Sequence, residues 1–293
     1  MIRAKTGNRI RETGSDRVIN AAVLVLLAVL FVIWFFPMLY VVLASVTPYE
    51  DVVRAGLLIL PSRPTFTAYS FLFSSTGIVG SFLVTLTVTI VGTLLSMALS
   101  ILLAFPLSKK GLPGRALITK LLVFTMYFSG GLIPTYMMVR RLHLLNTIWA
   151  LIIPGCVSTY NMLLLRSYFV SMPDELLEAA EVDGSGPLRT LVQIALPLSL
   201  PVTMSVMLFY MVTYWNTYYA YYYYCYDKAL RPLQVVLMDL IRSATGEAEA
   251  DEFVPTITVQ MAAVVFSCVP IVCVYPFIQK YFTTGIMLGA VKG

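Results

Sequence analysis

Six long stretches of the chain contain no Asp, Glu, Lys or Arg, and they constrain the fold more than any other feature. They run over 18–49, 64–108, 121–139, 142–165, 190–226 and 253–279. A helix needs roughly 20 apolar residues to cross the hydrocarbon core of a bilayer, so each stretch has room for one. Backbone groups find no water inside lipid, and such spans must therefore be helical. The sequence predicts an all-α integral membrane protein.

The second stretch is long enough for two spans, but its first part, 64–80, contains Pro64, Gly77, Gly80 and many hydroxyl residues. We interpret that part as an outer loop. The first apolar run is far longer than the 7–15 residues typical of a signal peptide, so we expect it to be a retained span. Six transmembrane helices are predicted, near 18–44, 81–106, 118–139, 146–166, 197–220 and 256–279.

The distribution of basic residues predicts the orientation. If the N-terminus is inside, the inner segments 1–17, 107–120, 166–196 and 280–293 hold 13 basic and 7 acidic residues. The outer segments 45–80, 139–147 and 227–252 then hold 7 basic and 8 acidic residues. Because Lys and Arg are enriched on the cytoplasmic side, both termini are predicted to be cytoplasmic, as an N-terminal segment (1–17) and a C-terminal tail (281–293).

An acidic block lies between the fourth and fifth predicted spans. It holds five of the chain's 15 carboxylates within 174–183, and no Lys or Arg occurs between Arg166 and Arg189. Pro173 is suited to the start of a helix, and Gly184 to its end. The acidic residues are Asp174, Glu175, Glu178, Glu181 and Asp183.

Three of these acids share one face of the predicted helix, where like charges oppose helix formation and where we expect no basic residue to compensate them. Opposite them, we expect one small apolar surface formed by Leu176, Leu177, Ala179 and Ala180. A short, flat, acidic helix of this kind fits a groove with a basic rim on a soluble partner. A solvated cytoplasmic loop is the alternative.

Two further features of the spans bear on packing and on substrate. The predicted second span has small residues at every fourth position, which favours close helix packing either within the bundle or with a second chain: Gly92, Ser96, Ser100 and Ala104.

Eleven of the eighteen residues 209–226 are aromatic. Tyr221 to Tyr226 are typical of an aromatic belt at the outer interface. Rings beside an amide suit sugars, so a substrate path is predicted at Tyr214, Trp215, Asn216, Tyr218 and Tyr219.

The sequence has no GxxxxGK[ST] phosphate-binding loop, and apart from His143 the six long stretches contain no Asp, Glu, Lys, Arg or His for ion coupling. The chain therefore lacks the usual means of energising transport. A transporter of this kind must take its energy from another polypeptide, and we predict no cofactor or metal bound by this chain itself.

The acidic block resembles the EAA loop of binding-protein-dependent ABC importer permeases. The resemblance lies in Glu178-Ala179-Ala180, Asp183-Gly184 and Ile194 with Leu196-Pro197-Leu198 and Pro201. The C-terminal YPFIQKYFTTGIMLGAVKG resembles the sugar-importer branch. The segments SGGLIPTYMMVRRLHLLNT and YNMLLLRSYF resemble the subgroup for oligosaccharides and polysaccharide fragments, including alginate-type importers.

The resemblance implies a permease subunit of a multi-pass importer in the bacterial plasma membrane, which is not itself an enzyme. Two cytoplasmic ATPase subunits would bind ATP and Mg, a second homologous permease would complete the path, and an extracytoplasmic sugar-binding protein would deliver an oligosaccharide, such as a uronate-containing fragment. Lipid is the remaining partner, and no nucleic acid is expected. In that family the EAA helix, here with Glu178 and the turn at Gly184, docks into the ATPase.

Two alternatives from other classes stay open on the residues alone. A non-transporting membrane scaffold or receptor could recruit a cytoplasmic protein through the acidic loop. A self-contained secondary carrier is disfavoured by the uncharged spans. The spacing of the acidic motif and the Leu-Pro pair that follows it favour the importer.

Overall fold

The computed structural model describes residues 14–55, 61, 63–244 and 256–290. Every regular element within these ranges is helical, as the sequence predicts. The helices are α1 (Gly14–Ser45), α2 (Tyr49–Ala55), α3 (Thr67–Ser75), α4 (Ile78–Ser108), α5 (Arg115–Tyr127), α6 (Leu132–Arg141), α7 (Ile148–Ile152), α8 (Thr159–Val170), α9 (Asp174–Val182), α10 (Pro187–Thr190), α11 (Leu196–Leu198), α12 (Leu200–Trp215), α13 (Tyr219–Tyr224), α14 (Leu233–Ala244) and α15 (Ile257–Ala290). A 3₁₀ turn (Ile153–Gly155) extends α7, and a π-helical turn (Leu191–Ala195) joins α10 to α11.

The described residues contain three to six candidate membrane spans. Three are unbroken helices, formed by α1, α4 and the first part of α15 (Ile257–Phe277). Three are helix pairs bent at a break: α5 with α6 by 116°, α7 with α8 by 50°, and α10–α11 with α12 by 88°. The prediction of an all-helical membrane protein is confirmed at this level.

Three predicted spans differ from the observed helices. The span near 146–166 is divided into α7 and α8, which meet at a bend of 50°. The span near 118–139 is divided at Gly130 and Gly131 into two helices that meet at a sharp angle. The span near 197–220 begins later and ends earlier, as α12, because Ser199 interrupts the helix between two prolines and Asn216 ends it. At the C-terminus α15 continues to Ala290, into the predicted tail. Residues 1–13, 245–255 and 291–293, including most of the N-terminal segment, lie outside the described residues.

The chain divides into two compact units, each with its own packing. The first comprises residues up to Tyr69 together with Thr256–Val265. In it Ala44 of α1 and Val52 of α2 are buried, and α15 packs against them. The hydroxyls of Ser45 and Tyr69 hydrogen-bond at 2.9 Å. The large apolar residues along the rest of α1 are exposed, which is typical of a helix surrounded by lipid.

The second unit, Ser70–Pro255 with Phe266–Gly293, is organised around α4, which packs against α8 and α12. All four residues of the predicted small-residue ridge are buried in α4: Gly92, Ser96, Ser100 and Ala104. Ser96 Oγ lies 2.8 Å from the Tyr214 hydroxyl, and Ser100 Oγ lies 2.7 Å from the Tyr210 hydroxyl. A Cβ on Gly92 would approach the Tyr214 ring to 2.8 Å. The ridge therefore serves packing within the chain, the first of the two predicted uses.

The same two tyrosines satisfy backbone groups where the α7–α8 span is broken. The Ser158 N–H donates to the Tyr210 hydroxyl at 3.0 Å. The Tyr214 hydroxyl donates to the Ile152 carbonyl at 3.1 Å. Backbone groups outside a regular helix are costly in an apolar region unless other protein groups pair with them. Tyr210 and Tyr214 thus hold α4, α12 and this break in one buried hydrogen-bond network.

The segments that follow α6 and α13 are joined through Asn146. Its backbone N–H donates to the Tyr224 carbonyl at 2.8 Å, and its Oδ1 accepts from the Asp227 N–H at 2.9 Å. Further along, the Leu233 N–H at the start of α14 donates to Thr85 Oγ1 of α4 at 2.7 Å. These bonds anchor the α13–α14 region to the helices beneath it.

Candidate functional site

Helix α9 is the predicted acidic helix, and its burial pattern defines an outward face. Leu177 and Ala180 are buried. Glu175, Glu178, Ala179 and Val182 are exposed, and Val182 exposes 87% of its surface. At 3.6 residues per turn, Ala179 and Val182 alternate around the helix with Glu175 and Glu178. The outward face is therefore a small apolar patch bordered by two carboxylates. We call Glu175, Glu178, Ala179 and Val182 the α9 face.

The predicted apolar surface of this helix was wrong in its composition. Leu176, Leu177, Ala179 and Ala180 do not form one exposed surface, because Leu177 and Ala180 are buried while Leu176 and Ala179 are exposed. The prediction counted apolar residues opposite the acids, but the chain itself covers part of that side. Val182, which the sequence pattern did not single out, is instead the second exposed apolar residue of the outward face, beside Ala179. Glu181's side chain lies outside the described part of the chain.

Gly184 ends α9 in a left-handed turn. Its φ is +78°, which an L-residue with a side chain adopts only at a cost. The Ser185 N–H reaches back to the Ala180 carbonyl at 2.9 Å, the long bond of a Schellman motif. Asp183 lies at the end of the helix with an exposed side chain. The turn leads directly to Pro187 at the start of α10, so the predicted helix end and restart are confirmed.

The expectation that no basic residue compensates the acidic helix was wrong. Lys110 Nζ, from the segment between α4 and α5, donates to Asp174 Oδ2 at 2.9 Å. This hydrogen bond and the attraction between the charges raise the pKa of Lys110 and lower that of Asp174. Both groups are exposed to solvent. The sequence did not indicate this pair because Lys110 and Asp174 are 64 residues apart along the chain. Its effect is to tie the first turn of α9 to the end of α4.

The predicted substrate-path residues are not gathered into one cluster. Tyr214 and Trp215 are buried, and Trp215 Nε1 donates to the Ser267 carbonyl at 3.2 Å. Asn216 is exposed and turns its amide back to the Val212 carbonyl at 2.8 Å. Tyr219 is exposed, and its ring meets that of Tyr218 edge-on at 5.0 Å. Tyr214 and Trp215 thus pack between helices, while the other three lie at or beyond the end of α12.

The tyrosine run of α13 is divided between two sides. Tyr221 and Tyr224 are buried, whereas Tyr222 and Tyr223 are exposed. The Tyr222 hydroxyl donates to Asp239 Oδ1 of α14 at 2.8 Å, and Arg231 forms an ion pair with Asp239. Half of the run is therefore structural, and the remainder forms an exposed aromatic surface beside α14.

A known permease covers nearly the whole chain. Over 263 residues the chain is 39% identical to the polygalacturonan/rhamnogalacturonan transport system permease protein YtcP of Bacillus subtilis (strain 168). The matched region covers 88% of this chain and 92% of YtcP. The chain belongs to the permease family of sugar ABC importers. This sugar ABC permease is also 34% identical over 287 residues to Protein LplC of Bacillus subtilis (strain 168), covering 96% and 97% of the two chains. No protein-family model matches it.

A solved structure extends the relationship to three dimensions. The sugar ABC permease matches a chain of the crystal structure of a bacterial ABC transporter involved in the import of the acidic polysaccharide alginate, with a TM-score of 0.85 and 28% identity. The match covers 93% of this chain and 99% of the other. The predicted family is therefore confirmed by sequence and by fold. The chain is a multi-pass membrane permease.

Proposed function

We propose that this permease is one of two related membrane subunits of an ATP-driven importer in the bacterial plasma membrane, and that α9 couples it to a cytoplasmic ATPase. The observation that carries the proposal is the α9 face itself. It presents Ala179 and Val182 to solvent between two carboxylates, on a helix held by Lys110 at one end and by the Gly184 turn at the other. An exposed apolar patch with a charged border is suited to a specific protein contact.

Six spans follow if each bent helix pair crosses the membrane once, and both termini are then on the same side, which is proposed to be the cytoplasm. The excess of Lys and Arg on the inner segments supports that orientation. The α9 face then lies in the cytoplasm, where an ATPase subunit can reach it. Glu178 is proposed to meet a basic residue of that subunit, and the ATPase, with its ATP and Mg, supplies the energy that this chain has no residues to provide.

The substrate is proposed to be an acidic oligosaccharide that contains uronate units. Two observations support this class: the relative YtcP is named for polygalacturonan and rhamnogalacturonan, and the matching crystal structure is of an importer of the acidic polysaccharide alginate. An extracytoplasmic binding protein would deliver the sugar, and a second permease would complete the path. Asn216, Tyr218 and Tyr219 stay candidates for contact with it, whereas the burial of Tyr214 and Trp215 favours a packing role for those two.

Reversal of one charge tests the coupling. Glu178→Lys should abolish uptake of radiolabelled oligogalacturonate by cells, because it places a cation against the proposed basic groove. Membrane insertion and binding-protein delivery should be unaffected. Glu50→Lys is the matched control, since Glu50 is an exposed acid of the short helix α2. Normal uptake by Glu178→Lys would disprove the coupling role of α9, and equal loss in the control would show a general charge effect.

A further inference from the structure

A cationic cavity lies beside α5, apart from the α9 face. Its volume is about 750 Å³. Four of its lining residues are positively charged and none is acidic: Lys110, Arg115, Lys120 and Arg166. Lys110 is paired with Asp174, and Arg166 Nε donates to the Leu107 carbonyl at 2.8 Å. Among the described residues neither Arg115 nor Lys120 has a carboxylate partner. The cavity therefore concentrates positive charge that the described part of the chain does not neutralise.

The start of α5 adds to this positive potential. Arg115 is the first residue of α5, no acidic residue occurs in its first turn, and no side chain caps its N-terminus. The N-terminus of a helix has a partial positive charge, and a cation there is unfavourable unless an anion offsets it. One turn further on, Thr119 also lines the cavity, and its buried Oγ1 has no hydrogen-bond partner among the described residues. A buried hydroxyl of this kind usually has a partner.

Five residues of α5 line the cavity: Arg115, Ala116, Thr119, Lys120 and Val123. Arg115, Thr119 and Val123 are each four residues apart and all line the cavity. At 1.5 Å per residue, the hydroxyl lies about 6 Å and the valine about 12 Å beyond the arginine along the axis. No residue of α5 is buried, and Leu117, Leu121 and Phe124 are exposed on its other sides. The two cations and the hydroxyl thus lie within the first six residues of α5, and the apolar Val123 follows them along the helix.

That order matches the parts of a phospholipid, and we propose that the cavity binds the phosphate headgroup of an anionic lipid. The cavity lies at the ends of three candidate membrane helices, namely the C-terminal ends of α4 and α8 and the N-terminal end of α5. Arg115 and Lys120 bind the phosphate, Thr119 donates its hydroxyl to the phosphate or to the ester carbonyl below it, and the acyl chains lie along α5. Basic cavities between membrane helices are suited to such headgroups.

The position of Lys110 gives the site a consequence for α9. Lys110 lines the cavity, and its ammonium group donates to Asp174 in the first turn of α9. The cavity and the first turn of α9 therefore share one cation. The proposal goes beyond the proposed function, because lipid binding requires neither sugar nor ATPase.

Lipid binding is best measured on the importer in nanodiscs, by native mass spectrometry and by titration with short-chain phosphatidylglycerol. Each basic residue near a membrane surface adds about fivefold in affinity for anionic lipid, so Arg115→Gln combined with Lys120→Gln should weaken binding about thirtyfold. Thr119→Val should weaken it severalfold. Arg189→Gln is the matched control, because Arg189 is an exposed cation outside the cavity whose Nε donates to Gln193 Oε1. Phosphatidylcholine should bind equally weakly to all four proteins.

Three results separate the possible occupants. Loss of phosphatidylglycerol in the cavity variants alone, with inorganic phosphate failing to displace the lipid, supports the proposal. Displacement by inorganic phosphate would show that the phosphoryl group comes from a soluble ligand and would overturn the lipid source. Unchanged lipid binding in the double variant, or displacement of the lipid by added ATPase subunit, would overturn the site. Failure of the Glu178→Lys uptake test would leave these lipid measurements unaffected, so the two proposals can fail separately.

Discussion

Removal of one hydroxyl, in Tyr210→Phe, tests whether the buried tyrosine network holds the broken α7–α8 span. The Tyr210 side chain is 2% exposed, and its hydroxyl bonds to both Ser100 Oγ and the Ser158 N–H. Phenylalanine keeps the ring and its packing but leaves both groups without this partner. A buried polar group without a partner costs about 1–3 kcal/mol, and hydrogen bonds between membrane helices average about 0.6 kcal/mol each. Together these values give a loss of about 1–3 kcal/mol.

The loss can be measured as the thermal midpoint of the purified importer in detergent. In a chain of this size 1 kcal/mol corresponds to roughly 2 °C, so Tyr210→Phe should lower the midpoint by roughly 2–6 °C. Ser100→Ala removes only one of the two bonds and should lower it by less. Tyr160→Phe is the matched control, because Tyr160 is 56% exposed and has no hydrogen-bond partner among the described residues. A shift in Tyr210→Phe no larger than that of the control would refute the role of the network.

Two glycine substitutions and one labelling experiment test the packing at Gly92, the turn at Gly184 and the burial of Cys225. Gly92→Ala should lower the thermal midpoint by a few degrees, since its Cβ would meet the Tyr214 ring at 2.8 Å, whereas Gly80→Ala meets nothing within 4 Å and should not. Gly184→Ala forces a φ of +78° on alanine at a cost of about 1–2 kcal/mol, and should reduce recovery of the ATPase on the tagged chain. Gly186→Ala, at a φ of −70°, should leave that recovery unchanged. Burial raises the pKa of the Cys225 thiol from 9.0 to about 11. Because maleimide reacts with the thiolate, labelling of Cys225 at pH 8 should be about a hundredfold slower than labelling of an ordinary thiol. The labelling rate should rise about tenfold per pH unit. Because the folded chain holds that proton more tightly, the contribution of Cys225 to stability is complete below pH 9 and is lost as the pH rises through 11. Rapid labelling at pH 8 would contradict the burial of Cys225.

Charge and turn residues predicted much of the fold because they act locally. The uncharged stretches place α1, α4, α12 and α15, since a charge is costly in lipid wherever it falls in the chain. Pro173 and Gly184 likewise bracket α9, because the constraints on helix ends depend on neighbouring residues alone. The family resemblance rests on this segment, on the C-terminal tail and on two further internal segments, and it is confirmed over almost the whole chain.

The features that the sequence did not predict depend on contacts between distant residues. Lys110 compensates Asp174 from another helix end, and no local pattern identifies such a pair. The bend between α7 and α8 is tolerated because Tyr210 and Tyr214 reach its free backbone groups from α12. Aromatic residues in a span suit both packing and sugar binding, and their spacing alone could not separate Tyr214 from Tyr219.

Coupling to an ATPase through α9 is tested most directly by the ATPase activity that co-purifies with the tagged chain in mild detergent. We expect a second permease and an ATPase to be recovered with the wild-type chain. The ATPase activity should rise when binding protein loaded with an acidic oligosaccharide is added. The ATPase should be lost from the Glu178→Lys variant. A chain that purifies alone, or an ATPase that is recovered equally with wild type and Glu178→Lys, would contradict coupling through α9.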